Sequence, residues 1–267
     1  MIGYQKNKKK PGKISYIKDI GIMIIIPLLF LVLWELAVKN GTLKATLTPP
    51  PSVLWKSFCN LIEAGKLQKG LVDSLRRVFI GYAIGTILGV SLGFLMGIFR
   101  YLNKALTIFI NILRPIPTIA IIPIFIIIFG IGESTIIAVI IVGAFWPSLL
   151  NSFAGVQNTD NKLIELAYTY RIPGSKTLFK IIFPSALTSI ITGMRLGLGT
   201  AWMSVVAAEM LGSSSGIGYM IMVSRDMAQT QNMYVEVLII GLIGLLFDRI
   251  LLFFQTKINK KIKGVSV

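Results

Sequence analysis

The chain has 267 residues, of which 54% are hydrophobic and only 14% charged, and its mean hydropathy of +0.77 excludes an ordinary water-soluble globule. The net charge of +16 could suggest nucleic acid, but the basic residues flank apolar segments and form no aromatic-interleaved patch, so no nucleic-acid partner is predicted. One cysteine, Cys59, and no histidine exclude an internal disulfide and a Cys/His metal site, and no cofactor is predicted.

The chain opens on a basic tail, residues 1–19, that carries lysines ahead of an apolar run. The run, residues 20–38, has about the length that crosses the hydrocarbon core of a bilayer. Because no Ala-x-Ala-like cleavage site follows it, we interpret it as an anchoring first span and not as a removed signal peptide. The lysines predict a cytoplasmic N-terminus.

A proline-rich break at residues 48–52 is followed by an amphipathic stripe. The stripe either lies along the outer membrane surface or forms a short packed connector, and it consists of Val53, Leu54, Phe58, Leu61 and Ile62. This loop also holds seven Lys/Arg from Lys39 to Arg77, which opposes an outer location. The lysine-rich chain ends nevertheless favour both termini inside the cell.

The second and third predicted spans carry the most informative patterns. The second, residues 78–99, has glycines at a spacing of four, which predicts a seam for close packing against another helix: Gly81, Gly85, Gly89, Gly93 and Gly97. The third, residues 105–129, contains Pro115, Pro117 and Pro123, so it must be kinked or interrupted. Backbone groups freed there need protein or water partners, which makes Pro115 and Pro117 candidates for a pathway wall.

Three further spans are predicted at residues 134–153, 184–210 and 235–254. The organisation is therefore a cytoplasmic tail, 1–19, a transmembrane domain, 20–255, and a basic cytoplasmic tail, 256–267. The predicted fold class is all-α, a polytopic membrane protein with about six transmembrane helices. Six spans with cytoplasmic ends also place the polar loop between the fourth and fifth spans in the cytoplasm.

That polar loop, residues 160–184, is predicted to form a helix, a turn and a second short helix before the next span. Leu163, Leu166, Ala167 and Tyr170 recur at helical spacing and form one stripe. Asp160 can cap the first helix, and the sequence from Arg171 to Gly174 supplies its end. Pro184 is compatible with the first turn of the following span.

The loop resembles the EAA loop of ABC importer permeases, which has Glu-Ala-Ala, a Gly after three residues, and an apolar-Pro pair whose Pro lies thirteen residues after that Gly. Glu165 and Ala167 match the first and third motif residues, and Phe183-Pro184 matches the apolar-Pro pair. Leu166 replaces the middle Ala and Arg171 occupies the Gly position, so Gly174 is expected to provide the turn.

Other stretches extend the resemblance to the nitrate/sulfonate/taurine branch of these permeases, over residues 47–220: LTPPPS at 47–52, SLRRV at 74–78, RPIP at 114–117, FGIGE at 129–133 and GMRLGLGTAW at 193–202. The resemblance implies a type I ABC importer permease fold in a bacterial inner membrane. It also implies a permease homodimer, a separate ATP-binding subunit and an extracytoplasmic substrate-binding protein. The implied ATPase-coupling residues are Leu163, Glu165, Leu166, Ala167, Tyr170, Arg171, Gly174 and Pro184.

Arg195 lies about 16 Å from Pro184 along the fifth span, near the middle of the hydrocarbon. A charge there costs roughly 2.5–3.5 kcal/mol on insertion scales, so the side chain should face protein or a wet cavity. It either has a structural partner or lines the pathway and attracts an anion.

The leading function is the membrane subunit of an ATP-driven importer for a small, anionic solute of the nitrate, aliphatic sulfonate or taurine class. The chain has no G-x-x-x-x-G-K-[ST] loop, so ATP hydrolysis is assigned to a partner and the chain is not predicted to be an enzyme. The alternative is an ion-coupled secondary transporter, but Glu35, Glu209 and Glu236 are expected near span ends and Asp248 has Arg249 beside it. A membrane enzyme is disfavoured because no paired base and nucleophile is apparent.

Overall fold

A computed structural model describes the backbone of residues 13–263 and the side chains of residues 25–258. Most of the terminal lysines used to predict orientation therefore lie outside the described side chains. The described chain consists of helices α1 (Lys13–Lys39), α2 (Pro51–Glu63), α3 (Lys66–Ile98), α4 (Arg100–Leu113), α5 (Thr118–Phe129), α6 (Glu133–Gln157), α7 (Asn161–Thr169), α8 (Gly174–Thr177), α9 (Phe183–Gly212), α10 (Ile217–Asp226) and α11 (Thr230–Lys263).

Within the described residues, four stretches are long and apolar enough to cross a membrane: α3, α6, α8 continued through α9, and α11. The pair α4 and α5 provides a fifth if its two helices count as one broken span, because they meet at 97°. The first predicted span lies in α1, whose side chains are exposed from Ile25 to Leu33. The six predicted spans thus correspond to these five and α1.

The glycine seam of α3 packs directly on α6, as its spacing predicts. A Cβ atom placed on Gly81 would meet Ile140, and one placed on Gly97 would meet Val156. Because both contact positions advance together along the chain, α3 and α6 run parallel. The intervening chain must therefore return across the molecule, which is the role of α4 and α5.

Helix α9 also packs on α6, beside α3, and runs antiparallel to α6. Gly193 of α9 lies against Asn151, whereas Gly143 of α6 lies against Ser204. The three long helices place the starts of α3 and α6 and the end of α9 at one pole. The loop of residues 160–184 lies at the opposite pole, which we call the loop pole.

Helix α2 is a packed connector, which decides between the two interpretations of its stripe. Leu54 and Leu61 are buried in the main apolar core, and Phe58 packs against it. Val53 and Ile62 remain exposed, so only part of the predicted stripe faces the protein.

Candidate functional site

The first helix of the polar loop begins at the predicted cap. The Asp160 carboxylate accepts a hydrogen bond from the backbone N–H of Lys162 at 2.9 Å, which satisfies one of the free donors at the start of α7. Pro184 lies in the first turn of α9, also as predicted. Between α8 and α9 the chain makes one π-helical turn, Leu178–Ile182, which the sequence reasoning missed.

The helix α7 ends in a Schellman motif in which Arg171 adopts a left-handed backbone with φ of +52°. The Ile172 N–H donates to the Ala167 carbonyl at 2.9 Å, and the Arg171 N–H donates to the Tyr168 carbonyl at 3.0 Å. The expectation that Gly174 provides the turn is wrong, because Gly174 is outside the left-handed region and starts α8. The turn lies at the motif's glycine position, with arginine in place of glycine.

Replacing Arg171 by glycine is expected to stabilise the folded chain by about 0.5–1 kcal/mol, because glycine adopts a positive φ without a Cβ penalty. Arg171→Val should lower stability, since a β-branched residue resists this conformation. The measurement is the midpoint of thermal unfolding in detergent. Gly174→Ala is the control, because a Cβ there meets no atom within 4 Å. Equal effects of Arg171→Val and Gly174→Ala would contradict the assignment.

The stripe on α7 divides into an exposed part and a buried residue. Leu163, Leu166 and Tyr170 are exposed, with Leu166 at 51% and Tyr170 at 76%, and no other described part of this chain covers them. Ala167 is only 2% exposed, so its side chain does not contribute to the exposed part of the stripe. Its short side chain packs within the chain. Glu165 is exposed and makes no ion pair among the described residues.

The RPIP stretch forms the break between α4 and α5. Arg114, Pro115, Ile116 and Pro117 are all exposed in the single chain, and the helices on either side meet at 97°. Proline removes backbone donors and prevents a regular helix, so the predicted interruption is observed. Arg195 lies elsewhere, on the face of α9 that contacts α11.

The Arg195 side chain has partners within the chain. Its Nε donates to the Asp248 carboxylate at 2.8 Å, and its Nη1 donates to the side-chain Oε1 of Gln255 at 3.3 Å. The Gln255 amide in turn donates to the Thr192 hydroxyl at 2.7 Å. This network fastens α9 to α11, which supports the structural interpretation of Arg195. Asp248 pairs across the helices and not with its sequence neighbour Arg249.

A second charged cluster, at the pole opposite the loop, was missed by the sequence reasoning. The buried Arg77 guanidinium donates to Glu209 at 2.8 Å, to the Ser215 carbonyl at 2.8 Å and to Glu133 at 3.0 Å. The buried Glu209 carboxylate also accepts from the Ser74 hydroxyl at 2.8 Å and from the Gly218 N–H at 3.0 Å. Glu209 is therefore not an isolated acid near a span end. The cluster ties α3, α6, α9 and α10 together.

The family model that matches the chain is the binding-protein-dependent transport system inner membrane component, over residues 85–264. This match covers more than half of the chain. The chain belongs to this family. The permease is therefore a multi-pass inner-membrane subunit of ATP-driven importers, and the ATPase is a separate subunit.

Curated relatives resemble the permease over most of its length. A putative ABC transporter permease of Methanocaldococcus jannaschii is 37% identical, covering 90% of this chain and 91% of the relative. A putative aliphatic sulfonates transport permease of Bacillus subtilis is 35% identical, covering 95% of this chain and 91% of the relative. A bicarbonate transport system permease of Synechocystis is 34% identical, covering 85% and 84%.

Solved structures support the fold of the permease. An inward-facing MetNI methionine ABC transporter has a chain that matches with a TM-score of 0.63 at 19% identity, covering 71% of this chain and 94% of that one. A chain of an amino acid ABC transporter matches with a TM-score of 0.63 at 15% identity, covering 75% of this chain and 97% of that one. The permease thus has the predicted type I importer fold. Its family implies two further partners, an ATPase and a substrate-binding protein.

Proposed function

We propose that the loop of residues 160–184 docks on the ATPase and transmits ATP-driven movements to the spans. The observation that carries this proposal is the exposed apolar face of α7, formed by Leu163, Leu166 and Tyr170 at the end of the helical core. Large apolar side chains that converge on one exposed face are typical of an interaction surface. The loop is held in shape by its cap at Asp160 and its turn at Arg171.

Leu166→Asp is expected to weaken assembly with the ATPase by about 2 kcal/mol or more, because it inserts an unpaired charge into an apolar contact. Co-purification of the ATPase from membranes and ATP-driven uptake in proteoliposomes measure the effect. Asn161→Asp, at an exposed position on the opposite face of α7, is the matched control and should leave both intact. Normal assembly and uptake with Leu166→Asp would refute the proposal. Ala167→Asp is unsuitable as a probe because Ala167 is buried.

The loop pole is assigned to the cytoplasm, together with both chain ends. The assignment is supported by the basic tails at residues 1–19 and 256–267 and by the position of α7, which an ATPase must reach. The transmembrane domain then extends over residues 20–255. The pole that holds Arg77 and Glu209 faces outward, where a substrate-binding protein delivers its solute.

The permease is assigned to a homodimer in which the break between α4 and α5 faces a second copy or the pathway. The support is the exposure of residues 114–117 in the single chain, since irregular backbone at membrane depth must be covered by protein or water. Pro115 and Pro117 are therefore the candidate pathway residues that the geometry favours. The exposed apolar side chains of α1, from Ile25 to Leu36, face lipid.

The solute is assigned to small molecules that carry an anionic group. The aliphatic sulfonates permease and the bicarbonate permease among the relatives are named for such solutes. The observation that Arg195 is held by Asp248 favours a structural role for this residue over direct contact with the anion.

Arg195→Gln is expected to loosen α9 from α11 and to lower the unfolding temperature, because it leaves the half-exposed Asp248 without its ion-pair partner. The partial exposure of the pair limits the loss to about 1 kcal/mol. The Asp248→Asn variant is the matched test, since it should lower the stability by a similar amount. The double variant, Arg195→Gln with Asp248→Asn, should lower it by no more than either single change. A normal unfolding temperature with reduced anion uptake would instead indicate the pathway role.

A further inference from the structure

Helix α4 separates its polar side chains completely from its apolar ones. With about 3.6 residues per turn, the polar side chains all lie within one arc of about 100°, which we call the α4 stripe. The stripe consists of Arg100, Asn103, Lys104, Thr107, Asn111 and Arg114. The rest of the helix surface carries only aliphatic and aromatic side chains. Neither face belongs to the loop that is proposed to dock on the ATPase.

The rest of the described chain leaves both faces of α4 open. None of the residues of this helix is buried. On the apolar face, Ile108 is 66% exposed, Phe109 62% and Ile112 64%. Contiguous apolar surface of this kind is ordinarily covered by another protein or by lipid. Which of the two covers α4 depends on where the helix lies and on the charge beside its apolar face.

The start of α4 lies at the loop pole. There the Gln157 amide donates to the Gly97 carbonyl at 3.2 Å, which joins the end of α6 to the end of α3. Helices α4 and α5 meet at 97°, so they cannot both follow the axis of the bundle. Because α5 packs on the long helices α6 and α9 and α4 has no buried residue, α4 is the helix that turns across the axis. A helix in this orientation, with one charged and one apolar face, is typical of a membrane interface.

The α4 stripe is cationic, and no acid on its own helix balances it. Arg100, Lys104 and Arg114 make no ion pair among the described residues. The sequence contains no Asp or Glu between Asp73 and Glu133, which lie near the starts of α3 and α6 at the opposite pole. Cations in the headgroup layer attract anionic lipids, whose phosphates accept charge-assisted hydrogen bonds from Arg and Lys.

Other occupants fit the stripe less well. The acids that the described chain places at the loop pole, Asp160 and Glu165, form no ion pair with it. A second copy docked through α4 would bring two cationic stripes together without an acid between them, because the contact in a two-fold dimer is self-complementary. An anionic lipid surface supplies both a negative layer for the stripe and acyl chains for the apolar face.

We propose that α4 lies in the headgroup layer at the loop pole and that Arg100 and Lys104 bind anionic phospholipids there. The apolar face then enters the acyl layer, and Tyr101, which is 88% exposed, lies at the boundary where aromatic side chains collect. Arg114 adjoins the break that is assigned to the pathway or a second copy. The assignment of α4 to the cytoplasmic leaflet rests on the orientation proposed above.

The test counts the lipids that stay bound to the full-length permease. Nanodiscs contain equal amounts of phosphatidylglycerol and phosphatidylcholine, and native mass spectrometry identifies the retained lipids. We expect the unchanged permease to prefer phosphatidylglycerol. The double variant Arg100→Gln with Lys104→Gln should lower this preference at least about fivefold, since each cation near an anionic surface contributes about that factor. An unchanged preference in the double variant would overturn the proposal.

The matched control is Lys56→Gln with Lys69→Gln, which removes the same charge from exposed positions on α2 and α3. These two lysines share no helix face, so the preference should change less than about twofold. Equal losses in the two double variants would show an effect of total charge and contradict the assignment. Inorganic phosphate should not displace the lipid when compared with chloride at the same ionic strength. Displacement would indicate a site for a soluble anion and overturn the proposal.

A second measurement determines what covers each face of α4. Cys59 is replaced by serine, because it is the one cysteine of the chain, and a nitroxide label is attached at Asn111→Cys or at Ile112→Cys. These neighbouring positions lie on the stripe and on the apolar face. The Ile112 label should collide mainly with oxygen dissolved in lipid, and the Asn111 label with a water-soluble nickel chelate. An Ile112 label that neither reagent reaches would show that protein covers this face and overturn the proposal.

The lipid measurement is independent of the proposed docking of α7. It needs no ATPase, and the nanodisc presents the same lipids in both leaflets. If the Leu166→Asp variant assembles normally with the ATPase, the docking proposal fails and the lipid preference stands. If Arg100→Gln with Lys104→Gln prevents co-purification of the ATPase and keeps the lipid preference, the stripe belongs to the ATPase contact and the lipid proposal fails.

Discussion

Replacing Glu209 by alanine is expected to lower the free energy of unfolding by about 3–5 kcal/mol, the largest loss that a single side chain of this permease should cause. The change leaves the buried Arg77 guanidinium without its closest acid, at 2.8 Å. It also removes the acceptor of the Ser74 hydroxyl and of the Gly218 N–H. Chemical unfolding in mixed micelles, followed by tryptophan fluorescence, measures the loss.

The matched control is Arg76→Gln, which removes the exposed neighbour of Arg77. Arg76 pairs with Glu133 at 2.8 Å, but both side chains are about half exposed, so its loss should cost no more than about 1 kcal/mol. Replacing Arg77 and Glu209 together by methionine should recover much of the stability, because no buried charge is then left unpaired. Equal losses for Glu209→Ala and Arg76→Gln would show that burial of the pair is unimportant.

Gly89→Leu is expected to prevent the close approach of α3 and α6, and with it the accumulation of folded permease in the membrane. A Cβ atom at Gly89 would lie 2.6 Å from the Phe145 carbonyl oxygen and 2.9 Å from the Ser148 Cβ. Backbone atoms of a packed helix cannot move aside as a flexible side chain can. Gly89→Ala should therefore cost about 1–3 kcal/mol, and leucine more than that.

Gly241 offers the matched control for this substitution, because it also lies within a long membrane helix. A Cβ atom there would meet nothing within 4 Å. Gly241→Ala should be neutral or gain up to about 1 kcal/mol from helix propensity. Quantitative detection of folded permease after detergent extraction compares the variants. If Gly89→Ala is as well folded as Gly241→Ala, the seam does not hold the two helices together.

The features that the sequence predicts well are those that depend on neighbouring residues. Apolar runs predict the spans, the spacing of four predicts the glycine seam, and Asp160 predicts the start of α7. Which residue takes the left-handed turn after α7 is harder to predict. Arg171 and Gly174 are both close to the helix end, and glycine is usually preferred in such a turn. The backbone hydrogen bonds decide for Arg171.

The features that were missed join residues that are distant in the sequence. Arg77 and Glu209 are separated by 132 positions, and Arg195 and Asp248 by 53. A single sequence carries no local signal for such pairs: it places Arg77 among the charges of a loop and Asp248 beside its neighbour Arg249. The burial of Ala167 is not predictable for a related reason. Helical periodicity shows which residues share a face, but not which of them the rest of the chain covers.

The parallel arrangement of α3 and α6 has a consequence for how the permease is made. Val156 leaves the ribosome about 60 residues after Gly97, the seam residue it contacts, so roughly 3–12 s pass at 5–20 residues per second before the contact can form. During that interval the glycine seam of α3 is already in the membrane, but α6, the helix on which it packs, has not yet been made. A nascent chain halted near residue 130 should therefore be a substrate for membrane proteases or insertion chaperones, whereas one halted beyond α6 should be resistant.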